Sequence, residues 1–98
     1  MNNVTKIEDL RDALKVATSR VMDELYDHAI GGDLIQIEVN VIDTQEAYVS
    51  GAPDGFSDGY AVALIRDGDT WTVCNAVECD MTNSDGTEVM NDLYQKSF

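Results

Sequence analysis

The sequence feature that most constrains the fold is a change of hydrophobic period near residue 32. Before it, apolar residues recur at intervals of three and four, which is the spacing of one helix face. They are Ile7, Leu10, Leu14, Ala17, Val21 and Leu25. Thr5 and Glu8 have the spacing of a capping box, and Gly31 or Gly32 can end a helix. The pattern predicts a helix over residues 6–29.

After this helix, apolar and polar residues alternate, as they do in half-buried strands. The stretch DLIQIEVNVID predicts a strand over residues 34–42, and TQEAYVSG is a shorter candidate. The stretch GYAVALIRDGDTWTVCNAVECD predicts a hairpin of residues 60–66 and 70–79, with its turn at Asp67-Gly68-Asp69. Finally, TEVMNDLYQKSF predicts a short helix at the end of the chain.

These elements predict an α+β fold within one domain, residues 1–98. It contains a long N-terminal helix, an antiparallel sheet of three to four strands and a short C-terminal helix. We expect the helices to pack on one face of the sheet. Trp71 is expected in the core beneath the first helix. Cys74 and Cys79 are five positions apart in one predicted strand, so we expect reduced packing residues on opposite faces.

The charge of the chain is strongly unbalanced, with 19 acidic residues, 6 basic residues and a formal net charge of −13. Between Val21 and Ile65 there is no Lys or Arg, while nine acidic residues occur. Nucleic acids and anionic membranes are bound through basic patches, so we expect neither as a direct ligand. A charged partner would be a basic protein. No apolar run is long enough to span a bilayer, and we expect a cytoplasmic protein.

The residues offer little for catalysis or metal binding. His28 is the only histidine and has no recognisable nucleophile partner. The loop with Asp54 and Asp58 fails the EF-hand pattern, because Phe56 and Ile65 occupy ligand positions. We therefore expect no enzyme, cofactor or metal site, and a small cation-binding protein or carboxylate enzyme is kept as an alternative.

Three carboxylates lie near the predicted C-terminus of the first helix, where negative charge is unfavourable. Asp23, Glu24 and Asp27 lie near the predicted helix C-terminus, where the backbone dipole makes each cost roughly 0.3–1 kcal/mol. Departures from a local rule are expected where function overrides stability. The helical period places Asp23 and Asp27 on the solvent face with Asp9, Asp12 and Arg20. Carboxylates at i and i+4 lie about 6 Å apart along the helix axis, close to twice the axial distance between phosphates of one nucleic-acid strand.

By its size, its charge and the runs EDLRD, MDELYD and VIDTQE, the sequence resembles the small acidic DNA mimics of phages and plasmids, the anti-restriction and anti-CRISPR inhibitors. The resemblance implies that the protein blocks the nucleic-acid site of a host defence protein or nuclease complex, in the host cytoplasm. An immunity protein that neutralises a basic toxin is the first alternative. Either binder can be a monomer or a homodimer. The expected contact residues are Asp23, Glu24, Asp27, Asp33 and Glu38, then Asp9, Asp12, Asp43 and Glu46.

Overall fold

A computed structural model of the chain describes residues 5–28, 35–53, 58–80 and 86–97. Its elements in chain order are β1 (Thr5–Ile7), α1 (Leu10–His28), β2 (Ile35–Val41), β3 (Glu46–Pro53), β4 (Asp58–Asp67), β5 (Thr70–Val73), β6 (Val77–Asp80) and α2 (Gly86–Ser97). The strands form one antiparallel sheet in the order β1-β5-β4-β3-β2, and β6 pairs with the first half of β4. The fold is a small α+β fold with one long helix, but the predicted count of three to four strands is wrong.

The first face of the sheet is covered by α1. Every fourth residue of the helix, Ala13, Ala17, Val21 and Leu25, is buried against strands β3, β4 and β5. Trp71 lies in this core, as the sequence predicts, and is 6% exposed. The helix packs closely on β3 at Gly51, where an added Cβ would lie 2.9 Å from Val21 Cγ1.

The second face is covered by α2, so the expectation that both helices pack on one face is wrong. Val89, Met90 and Leu93 of α2 pack in a separate cluster with Ala61 and Ala63 of β4. The neighbouring residues of β4, Val62 and Leu64, point the other way into the α1 core. Because β4 is buried on both faces, it reads as the continuous apolar run YAVALI. Each of its faces needs its own helix.

The chain begins with a strand where the spacing of Thr5 and Glu8 predicts a helix start. Thr5 pairs with Val73 and Ile7 with Trp71, at the edge of β5. The helix begins at Leu10, and Asp9 caps it by accepting a hydrogen bond from the Arg11 backbone N–H at 2.7 Å. The long-range pairing with β5 therefore overrides the local capping signal.

Cys74 and Cys79 point to the same face of the sheet, which corrects the expectation of opposite faces. Val73 pairs with Leu64, and Val77 pairs with Ala61. Three residues separate Val73 from Val77, whereas only two residues of β4 separate their partners. This one-residue bulge shifts the alternation, and both thiols enter the α2 cluster. The Cys74 backbone N–H donates to Ala63 O, and Cys79 pairs with Gly59. Because Gly59 and Ala63 are four residues apart in β4, the two cysteines are about 13 Å apart along the strands. Both are free.

Candidate partner-binding surface

Arg20 of α1 is turned toward the sheet, which corrects its expected place on the solvent face. Its guanidinium donates to the carbonyl oxygens of Val73 and Cys74, each at 2.9 Å, and to Thr5 Oγ1 at 2.6 Å. These acceptors belong to the bulge after β5 and to β1. Arg20 therefore joins the helix to the sheet edge.

Apart from Lys96, whose side chain is outside the described set, the other bases lie at one end of the molecule, which we call the basic end: Lys6, Arg11, Lys15 and Arg66. Lys6 Nζ lies 3.9 Å from Asp67 Oδ2, and Arg66 Nε donates to Gly68 O at 3.1 Å. Both contacts involve the turn between β4 and β5. Arg11 and Lys15 line a shallow open depression beside the first turns of α1.

The opposite end carries carboxylates on two elements. Val21 and Leu25 of α1 lie over Gly51, Gly51 pairs with Tyr60, and Tyr60 pairs with Glu78. The last turns of α1 therefore lie over β3, at the end of the sheet where β6 pairs with β4. Four acidic residues of these two elements, Asp23, Glu24, Glu78 and Asp80, make up what we call the acidic end.

The side chains of the acidic end point to one side of the sheet. Asp23 and Glu24 follow Arg20 by three and four residues and so share its flank of α1, which faces β5. Glu78 and Asp80 alternate with Cys79, which faces α2, so they project from the α1 face. Asp23, Glu78 and Asp80 are exposed, and Glu24 is half-buried. Arg20, on the same flank of α1, is held by Val73, Cys74 and Thr5.

Only part of the leading set of expected contact residues comes together. Asp23 and Glu24 belong to the acidic end. Glu38 is exposed on β2, at the other edge of the sheet and on the α2 face, where it pairs with Ser50. Asp27 lies in α1, but its side chain is outside the described set, as is that of His28. Asp33 lies outside the described residues.

The second set of expected contact residues lies toward the basic end. Asp9 caps α1, and Asp12 is exposed in the first turn, where the helix dipole favours a carboxylate. Asp43 Oδ1 accepts hydrogen bonds from the backbone N–H groups of Gln45 at 2.7 Å and Glu46 at 2.9 Å. It thereby holds the turn between β2 and β3. These carboxylates have local structural roles and lie apart from Asp23 and Glu24.

Glu46 holds α2 against the sheet, because its carboxylate accepts a hydrogen bond from the Tyr94 hydroxyl. Burial, and then this hydrogen bond and the charge of Glu46, raise the pKa of Tyr94 to about 12 from its ordinary value of 10.0. Cys74, in the same cluster, has a raised pKa because of burial, an effect that the charge of Arg20 opposes. The thiol is thus kept in its unreactive protonated form.

The Tyr94–Glu46 contact predicts a loss of stability at high pH. The folded-state pKa of Tyr94 lies above 10.0, so its contribution is complete below that pH and disappears as pH rises toward 12. We expect Tyr94→Phe to lower the free energy of unfolding by about 1 kcal/mol at neutral pH, with the difference shrinking between pH 10 and 12. Glu46→Gln keeps the acceptor but removes the charge, and should lower the pKa of Tyr94 in a tyrosinate absorbance titration. A wild-type and Tyr94→Phe difference that stays constant across this pH range would contradict the assignment.

Two features of this surface are missing from the expected contact set. The alternation in VECD indicates that Glu78 and Asp80 are exposed, because each of them follows a buried or half-buried apolar residue. Tyr26 is 68% exposed on α1, one turn beyond Asp23, whereas Tyr48 is 6% exposed. Exposed tyrosines beside charged groups are frequent anchors of protein interfaces.

The described residues contain no group of three or more His, Cys, Asp or Glu side chains arranged to hold a metal ion. Among the described helices, none combines the length and apolar character that crossing a bilayer demands. Comparison of the chain with protein-family models, with curated proteins and with solved structures finds no match.

Proposed function

We propose that this protein is a non-enzymatic inhibitor that binds the basic, nucleic-acid-binding surface of a host defence protein or nuclease complex and blocks it. The observation that carries the proposal is the separation of charge along the fold. The bases Lys6, Arg11, Lys15 and Arg66 lie at the basic end, and Arg20 is held against the sheet edge. The acidic end therefore presents three exposed carboxylates, those of Asp23, Glu78 and Asp80, at the end of the fold away from these bases.

The geometry of the acidic end suits a surface built for phosphates. Glu78 and Asp80 lie on the same face of β6 about 6.6 Å apart, close to twice the axial distance between phosphates of one DNA strand. Asp23 and Glu24 add carboxylates from the neighbouring helix. Because both elements pack on the core, the charges are held in place before binding, which reduces the entropy lost in the complex.

The net charge of −13 supports fast recognition of a basic partner. Opposite charges steer the encounter of two proteins, and the rate falls as salt screens them. Tyr26 supplies an apolar contact beside these charges, which a purely ionic surface lacks. Binding should therefore weaken with added salt but keep a salt-insensitive part that depends on Tyr26.

The proposal is tested by competition with nucleic acid. The wild-type chain captures partners from nuclease-treated lysate of the host, and each captured protein is then bound to a fluorescent DNA or RNA oligonucleotide. We expect the chain to displace the oligonucleotide at stoichiometric amounts. Glu78→Lys combined with Asp80→Lys should weaken displacement by about a hundredfold, about tenfold for each reversed charge.

The matched control is Asp12→Lys combined with Asp69→Lys, which changes the net charge by the same amount at the basic end. This control should displace the oligonucleotide nearly as well as the wild type. Equal losses in the two double variants would show that net charge alone acts, and would overturn the assignment to the acidic end. Captured partners that bind no nucleic acid would overturn the proposed function and would favour the toxin-neutralising alternative.

A further inference from the structure

The two edges of the sheet differ in how well they are protected against pairing with another strand. One edge is formed by two short strands, β1 with three residues and Lys6, and β6 with four residues and two exposed acids. Short strands and charged side chains discourage edge pairing. Strand β2 forms the other edge and contains seven residues, IQIEVNV, without proline, lysine or a bulge. No described residue pairs with its outer side. A regular edge of this kind is a template for a further strand.

The backbone groups available at this edge follow from the hydrogen bonding of β2 to β3. The Ile42 N–H donates to Glu46 O at 2.9 Å. Backbone groups alternate sides along an antiparallel strand, so the even-numbered residues of β2 bond to β3. The N–H and C=O groups of Ile35, Ile37, Val39 and Val41 therefore point outward.

The side chains of the edge leave an apolar strip uncovered on the α1 face. Ile35 and Ile37 pack against the α1 core. Val39 and Val41 lie on the same face but beyond the cover of the helix, and they are 50% and 58% exposed. A partner strand with apolar residues at alternate positions would cover this strip.

We propose that the occupant of this edge is a second copy of the chain, joined through antiparallel pairing of β2 with β2 about a two-fold axis at Val39. The axis places Val39 beside its counterpart and Val41 beside Ile37 of the second copy. Three such pairs exchange two backbone hydrogen bonds each, about six in all. The inference is independent of the proposed function, because it uses no residue of the acidic end.

The polar face of β2 selects this register over its neighbours. Glu38 is exposed and has no hydrogen-bond partner among the described residues, and Asn40 Nδ2 is a buried donor without an acceptor in the single chain. An axis at Val39 places each Glu38 opposite Asn40 of the other copy, within side-chain reach. An axis at Glu38 would oppose two like charges, and an axis at Asn40 would place Glu38 against Ile42. Registers shifted by a single residue would misalign the outward backbone groups.

Measurement of the oligomeric state tests whether β2 pairs with β2 of a second copy. In light scattering and sedimentation over a concentration series, we expect a dimer that becomes tighter as salt rises, because each copy carries −13. Binding of a basic partner has the opposite salt dependence, so failure of one proposal is distinguishable from failure of the other. Val39→Lys should weaken the dimer at least about tenfold, whereas Ser19→Lys on exposed α1 should not. A wild-type chain that stays monomeric at every salt concentration, or a dimer that Val39→Lys leaves intact, overturns the proposal.

Cysteine substitution tests the register. With the axis at Val39, the two Val39 Cα atoms lie about 5.5 Å apart, which suits a disulfide. Val39→Cys should therefore cross-link two chains under mild oxidation. Val41→Cys should not, because its counterpart would lie about 13 Å away along the strand. Cross-linking by Val41→Cys but not by Val39→Cys would overturn the register.

Discussion

Replacing Gly59 with alanine is expected to lower the free energy of unfolding by about 3 kcal/mol or more. Gly59 is buried in β4, and an added Cβ would collide with the carbonyl oxygen of Gly51. It would also lie 2.9 Å from Gly51 C and from Ala52 Cβ. These atoms belong to the backbone of β3 or are attached directly to it, so the clash is relieved only by separating two central strands.

Two other glycines are matched controls for this prediction. At Gly51 an added Cβ would meet side-chain rather than backbone atoms, namely Cδ1 of Ile37 and of Leu25 and the stiffer Cγ1 of Val21, so Gly51→Ala should cost about 1–3 kcal/mol. Gly68 has a φ of 61° and open space around it, so Gly68→Ala should cost about 1–2 kcal/mol from backbone strain alone. Urea unfolding of the three variants measures the order. A Gly59→Ala variant as stable as Gly68→Ala would contradict the packing of β3 against β4.

Replacing Arg20 with methionine is expected to lower the free energy of unfolding by about 3 kcal/mol. The substitution keeps most of the apolar stem but removes the donors to Val73 O, Cys74 O and Thr5 Oγ1. A carbonyl left without a donor in a partly buried site costs about 1–3 kcal/mol. The loss should fall on β1 and on the bulge after β5, and hydrogen exchange of those backbone amides should increase.

Lys15→Met is the matched control, because Lys15 is an exposed base on the same helix and lines only an open depression. We expect a change within about 0.5 kcal/mol. Arg20→Lys should recover part of the loss, since one ammonium group cannot reproduce the planar fork that reaches three acceptors. If Arg20→Met proves as stable as Lys15→Met, Arg20 does not join α1 to the sheet edge.

The parts of the fold that depend on neighbouring residues could be predicted from the sequence. The period of α1 identified Ala17, Val21 and Leu25 as its buried face, because residues four apart in a helix share one side. The alternation in β2 placed Ile37 and Glu38 on opposite faces for a similar reason. Both patterns are local, and they act before any tertiary contact forms.

The errors arise where distant segments meet. Thr5 looks like a helix cap until it pairs with Val73, and one extra residue after β5 turns Cys74 to the face of Cys79. The second helix was expected on the α1 side, because the sequence does not show which apolar face of β4 it covers. Strand pairing and layer order depend on contacts between segments far apart in the chain.

By itself, the sequence determined the acidity of this protein, the helix that carries Asp23 and Glu24, and the alternating strands, since charge and local periodicity are properties of the chain. Only the tertiary structure determined where the charged side chains lie relative to one another. Packing α1 across β3 and β4 brings its last turns over Gly51 of β3, at the end of the sheet where β6 pairs with β4, and hydrogen bonds to Val73 and Cys74 turn Arg20 away. The carboxylates near the helix end thus join Glu78 and Asp80 in one acidic end, because strand pairing brings together residues that the sequence keeps far apart.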